Sequence, residues 1–266
     1  MTGDASPAVG GLARDAAPGP TAYLLGLADD ALVYAQRLGE WMTRAPQIEE
    51  DVALGNIGLD LLGQARALLT RVGELEGAGR GEDDLAYLRD EREFRNVHLV
   101  EQPRGDFGQE MARMLWFSSY QHALYSALTD SADDVLAAVA AKALKEVDYH
   151  RDHASHWVIR LGDGTEVSHD RMQAGLEAVA PYVAELGDDD AASVAADKDG
   201  VGILPSSLVE ATRRHVEAVV GQATLQLPEQ PRWRSRGGRE GIHSEAMGYL
   251  LAEMQHIHRS HPGATW

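Results

Sequence analysis

Cysteine is absent from the 266 residues. That one absence removes disulfides, thiolate nucleophiles, iron–sulfur ligation and Cys-bound zinc. Long hydrophobic runs are missing too, and nothing approaches the roughly 20 consecutive apolar residues a membrane span needs. Basic residues are scarce: 24 Lys and Arg stand against 42 Asp and Glu, a formal charge of −18. Such an excess of acid repels a phosphate backbone and argues against nucleic-acid partners. Strand patterns are nearly lacking, so no Gly-rich phosphate loop follows a strand, and no Gly-x-Ser-x-Gly elbow occurs. Without cysteine or an apolar leader, the expected address is the cytoplasm.

What the chain does have is helical periodicity. Hydrophobic residues make up 44% and charged residues 25%, enough apolar surface for a sizeable core. Residues 1–20, rich in Ala, Gly and Pro, read as a disordered tail, and 21–266 as one helical domain. Apolar spacing predicts helices over 21–44 and 48–75, the second burying Val52, Ile57, Leu61, Ala65, Leu68 and Val72. An irregular stretch follows over 91–107, the one place where a short strand is allowed, then a helix over 108–128. Ser131 is the expected cap of the next helix. In that helix Leu136, Ala140, Ala143, Val147, His150, Ala154, Trp157 and Leu161 alternate steps of four and three, the seam of a helix packed lengthwise in a bundle. Further helices are expected over 169–186, from 206 or 207 to 225, and over 242–259, with 188–200 as an acidic surface loop. The expected fold is all-α: a long four-helix bundle with shorter C-terminal helices appended.

A long four-helix bundle raises the question of a carboxylate-bridged pair of metals. Such a centre takes a Glu from each of two helices and Glu-x-x-His from each of the other two. Glu146, His150 and His153 lie near one stripe, but the position three after Glu146 is Tyr149, and a one-residue displacement rotates a side chain by about 100°. On the second helix the expected inward polar residues are Asn56, Asp60 and Gln64; the position three after Asp60 is Gly63, and no histidine is present. Asp60, Glu146, His150 and His153 are therefore candidates for a vestigial centre, read as an internal hydrogen-bonded cluster. Catalytic, cofactor and metal residues are otherwise expected to be none. The rival reading is a divergent di-metal oxygenase using these same residues, and a third is a helical adaptor unrelated to oxygenation.

One basic cluster stands out in this acidic chain. Arg232, Trp233, Arg234, Arg236 and Arg239 form a candidate loop for docking a partner or contacting an anion. Trp41, Trp116 and Phe117 serve either as interface anchors or as core.

Several collinear segments carry a resemblance. They are Leu27-Ala28-Asp29-Asp30-Ala31-Leu32, Leu59-Asp60-Leu61-Leu62-Gly63-Gln64, Phe94-Arg95-Asn96 leading to Glu101-Gln102-Pro103, Lys145-Glu146-Val147 with Tyr149-His150, Arg160-Leu161-Gly162-Asp163-Gly164-Thr165, and Leu250-Leu251-Ala252-Glu253-Met254-Gln255. Together they make the chain resemble the structural, C-type subunits of the ring-epoxidising phenylacetyl-CoA epoxidases, ferritin-like proteins of aerobic phenylacetate degradation. The resemblance implies a non-catalytic subunit of an NADPH- and O2-dependent monooxygenase. It implies as partners a catalytic A-type subunit holding di-iron and the CoA thioester, and a reductase with flavin and an iron–sulfur cluster.

Overall fold

The computed structural model describes residues 19–264, and among them every regular element is helical. The frame is four long helices: α1 (Pro20–Gly39), α2 (Ile48–Glu76), α5 (Phe107–Leu128) and α6 (Asp134–Gly162). Two short helices, α3 (Glu82–Tyr87) and α4 (His98–Glu101), lie between α2 and α5. The bundle is followed by α7 (Glu166–Val183), α8 (Ala191–Lys198), α9 (Val209–Gln222) and α10 (Glu245–Ser260). No described helix is long and apolar enough to cross a membrane.

Side-chain pairs fix the helix directions. Tyr34 of α1 and Trp41, just past its end, both reach Glu110 of α5, while Tyr34 meets Phe117 edge-on. Glu50, Gln64 and Arg71 of α2 meet His153, Glu146 and Asp133 in turn, so α2 and α6 run antiparallel. With α1–α2 and α5–α6 as antiparallel hairpins, α2 and α5 must then run the same way. The chain from 77 to 106 is consequently a long crossover along the bundle, the connection that marks ferritin-like topology. Outside this frame, α7 and α9 pack against α5.

Local sequence explains the boundaries. Gly77 closes α2 in the left-handed region at φ 62°, a conformation glycine adopts without steric cost. Thr165 and Ser168 form a reciprocal capping box at the start of α7. Glycine also permits one very close crossing. A Cβ on Gly175 of α7 would stand 2.7 Å from the backbone of Gly108 and Gln109 in α5.

Some expectations need correction. The first helix stops at Gly39 rather than Arg44, because the chain turns through Thr43 at φ 67°, whose N–H donates to Asp51. Val52 is 60% exposed instead of buried, and Asn56 faces solvent as well; both lie on the outer side of α2. The cap of α6 is Asp133, which accepts from the N–H groups of Val135 and Leu136, while Ser131 bonds the Val201 carbonyl. The supposed acidic loop contains α8, capped by Asp190. The stretch 91–107 holds a 3-10 turn and α4 in place of any strand. Toward its C-terminus the α6 seam loosens, with Trp157 and Leu161 only partly buried. The 205–208 segment is a 3-10 turn preceding α9, which ends at Gln222, and the last helix begins at Glu245. Trp41, Trp116 and Phe117 are all core residues. The tail expected over 1–20 falls outside the described residues except for its last two.

Candidate functional site

The interior of the bundle carries a polar layer built mostly from neutral groups. Gln64 of α2, a buried side chain, accepts from the Tyr125 hydroxyl of α5 at 3.1 Å and donates to Glu146 of α6 at 3.3 Å. Gln121 lies 3.5 Å from the same Gln64 oxygen. Amides and a phenol can be satisfied inside a core without any charge.

Two of the three α6 imidazoles each face a different carboxylate. His150 Nε2 is 3.1 Å from Asp60 Oδ2, and burial holds this imidazole below its ordinary value despite the opposing pull of Asp60. His153 Nε2 lies 3.1 Å from Glu50 Oε2, but the two atoms are off the line a hydrogen bond requires, leaving both unsatisfied. Burial again depresses the imidazole, with Glu50 pulling the other way and His156 adding to the depression. Burial thus disfavours the charged form of both rings. Glu146 is taken up by Gln64 and by Lys142 at 3.4 Å.

A second buried network joins α1 to α5. Glu110, without solvent exposure, accepts from Tyr34 at 2.9 Å and from the Trp41 indole at 3.0 Å, with Arg113 at 3.6 Å. This inward carboxylate of α5 is committed to structural donors. Among the described residues no three His, Asp or Glu side chains converge as a metal-binding group. The donor chemistry does not fit a di-iron centre, which needs bridging carboxylates and imidazoles facing a common point. Here His150 and His153 face different carboxylates, Glu110 and Glu146 are taken up by other donors, and the remaining inward groups are amides, two phenols and an indole.

Sequence reasoning missed Glu50 and Tyr125, and missed a set of buried ion pairs. Asp29 and Arg89 form a two-pronged pair with both side chains inaccessible; one prong, Nη1 to Oδ2, measures 2.9 Å. Asp30 pairs with Arg239 at 2.7 Å. A signal existed for both: Asp29 and Asp30 interrupt a helix that is otherwise apolar on nearly every side, and enclosed carboxylates require cationic partners. Glu101 accepts from His243 at 2.7 Å and from the Ser244 N–H. Glu185 receives His98, Ser235 and the Gly238 N–H. Burial resists charge on both members of the His98–Glu185 pair, yet their mutual attraction prevails, raising His98 and lowering Glu185.

The five residues of the basic cluster separate into two groups. Arg239 is mostly buried and also donates to the carbonyls of Gly26 and Arg95. Arg234 pairs with Asp188 at 2.9 Å. Arg232, Trp233 and Arg236 remain outward.

An all-helical bundle with a long crossover and inward polar positions on α2, α5 and α6 defines a ferritin-like protein. The chain belongs to the family of phenylacetic acid catabolic proteins, whose profile matches residues 12–266. It is 46% identical over 246 residues to the C-type subunit of the 1,2-phenylacetyl-CoA epoxidase of Escherichia coli (strain K12), a match covering 92% of this chain and 98% of that protein. The resemblance read from the motifs is borne out.

Proposed function

We propose that this chain is the structural, non-catalytic subunit of a phenylacetyl-CoA 1,2-epoxidase, supporting a related catalytic A-type subunit in aerobic phenylacetate degradation. The observation that supports this reading is that His150 faces Asp60 while His153 faces Glu50, so the two imidazoles turn to different carboxylates. The similarity to the C-type epoxidase subunit supplies the assembly. In that assembly the di-iron, NADPH, flavin and iron–sulfur chemistry belongs to the A-type and reductase subunits, and the work of the complex takes place in the cytoplasm.

A subunit of this kind needs a surface for its partner, and α2 offers one. Ile48, Val52 and Leu59 are 75%, 60% and 66% exposed, and their spacing of four and seven sets them on one outer stripe. Between and beyond them Gly55 and Gly63 present open backbone. Tyr149, half-exposed on neighbouring α6, extends the apolar area. A helix with an apolar stripe on both its inner and outer sides is suited to lie between two bundles.

Two measurements test the reading. The purified chain is expected to hold far less than one iron per polypeptide and to show no oxygenase activity, whereas co-expression with the A-type subunit yields a stable complex that epoxidises phenylacetyl-CoA. Two tightly held metals in the isolated chain, or separate elution of the two subunits after co-expression, overturns it.

A further inference from the structure

The 228–241 loop folds in a way that sorts its side chains. Ser235 N–H donates to the Pro181 carbonyl at 2.9 Å, and its hydroxyl donates to Glu185 at 3.1 Å. Gly238 N–H reaches the other oxygen of Glu185 at 2.9 Å. Arg234 is tied to Asp188 and Arg239 to Asp30. Gly237, at φ 93°, provides the reversal between these anchors. Trp233 rests edge-on against Tyr182, centroids 5.9 Å apart, yet remains 62% exposed.

What this anchoring leaves outward is a compact group: Arg232, Trp233 and Arg236. Neither Arg232 nor Arg236 has a hydrogen bond or ion pair among the described residues. Most other arginines in this acidic chain have found carboxylates or carbonyls: Arg37, Arg66, Arg71, Arg80, Arg89, Arg213, Arg214 and Arg259 all do. Two unengaged guanidinium forks beside an exposed indole, on a turn held at both ends, match the composition of interface hot spots. Because the loop is already fixed, ordering it on binding costs little conformational entropy.

We propose that Arg232, Trp233 and Arg236 form a docking tip for an acidic segment of another polypeptide, distinct from the apolar α2 face. Charge complementarity selects the occupant. The chain as a whole carries −18, so an acidic partner is repelled over most of the surface and steered to this patch. Guanidinium forks bind carboxylates in a bidentate manner, and the indole covers the aliphatic stem of a Glu. A small phosphorylated ligand fits less well, since such sites enclose most of their ligand, while Trp233 stands open. This inference goes beyond the subunit assignment and is read out on the full chain alone.

The test uses a fluorescein-labelled 15-residue peptide rich in Glu and Asp, titrated with the full chain by fluorescence polarisation. Saturable binding is expected that weakens at high salt. The double variant R232E/R236E is expected to lose at least about tenfold in affinity, and Trp233→Ala several-fold, in keeping with hot-spot behaviour. A control of equal charge change elsewhere, R160E/R171E, is expected to stay within about twofold, and circular dichroism confirms folding of each variant. Equal losses in both double variants reduce the effect to net charge and overturn the proposal. Unchanged affinity in R232E/R236E does so as well. Tighter binding of adenosine 3′,5′-bisphosphate at the same residues assigns the patch to phosphate instead. A concentration-dependent dimer abolished by R232E/R236E assigns it to a second copy; either result overturns the proposal.

Discussion

Asp29 and Arg89 show how much a single enclosed charge depends on its partner. Both side chains are out of contact with water, and Asp29 also accepts the Arg95 N–H at 2.8 Å. Removing the carboxylate leaves a guanidinium buried and uncompensated, which costs about 3–5 kcal/mol. Asp29→Ala is therefore expected to lower the urea midpoint sharply, and the double variant D29A/R89M is expected to recover much of the loss. The His98–Glu185 pair responds to pH in a defined window. His98 is raised when folded, so its contribution is complete below its ordinary value of about 6.5 and fades as pH climbs through the folded value. Glu185 is lowered, so its contribution is complete above about 4.5 and is lost as pH falls through its folded value. Stability from this pair is greatest between those two values. In His98→Gln the difference from the parent chain, measured by urea unfolding from pH 4 to 8, is expected to peak near pH 5.5 and shrink on either side.

At the scale of elements, packing is limited by backbone as much as by side chains. The α5–α7 crossing brings Gly175 onto Gly108 and Gln109, with no room for a methyl group. Gly175→Ala is expected to destabilise the protein by about 1–3 kcal/mol, the usual range for forced overpacking, even though alanine is the better helix former. A thermal melt reads this directly, and an unchanged or higher midpoint contradicts it. The same scale shows why some boundaries were legible and others were not. The α6 seam was readable because a helix flanked on one side repeats its apolar residues at steps of three and four. Helix α8 was not, because its eight residues bury only Ser193 and Ala196, too few to set a period. Val52 misled for a related reason: apolar residues occur on both sides of α2, and periodicity cannot tell an inner stripe from an outer one.

For the whole molecule, the outer stripe of α2 carries the expected assembly. Leu59 is 66% exposed, so Leu59→Glu is expected to leave the melting temperature of the isolated chain within about 2 °C, since surface substitutions are usually within about 0.5 kcal/mol. In the co-expressed complex the same change places a charge in an apolar interface and is expected to abolish co-elution with the A-type partner. Co-elution at parental yield removes α2 as the interface while leaving the metal-content test of the structural reading intact.

The order of the long helices, the lack of Glu-x-x-His on α2 and α6 and the family itself were all determined by sequence, because periodicity, spacing and collinear motifs are local properties that survive without coordinates. Which carboxylate answers which cation was decided only in three dimensions. Asp29 meets Arg89, Asp30 meets Arg239, and Glu185 meets His98 across separations of 60, 209 and 87 positions. Nothing in the local pattern specifies those partners; they follow from the long crossover and from the C-terminal loop folding back over the bundle, where each enclosed charge takes the counter-charge that the topology brings within reach.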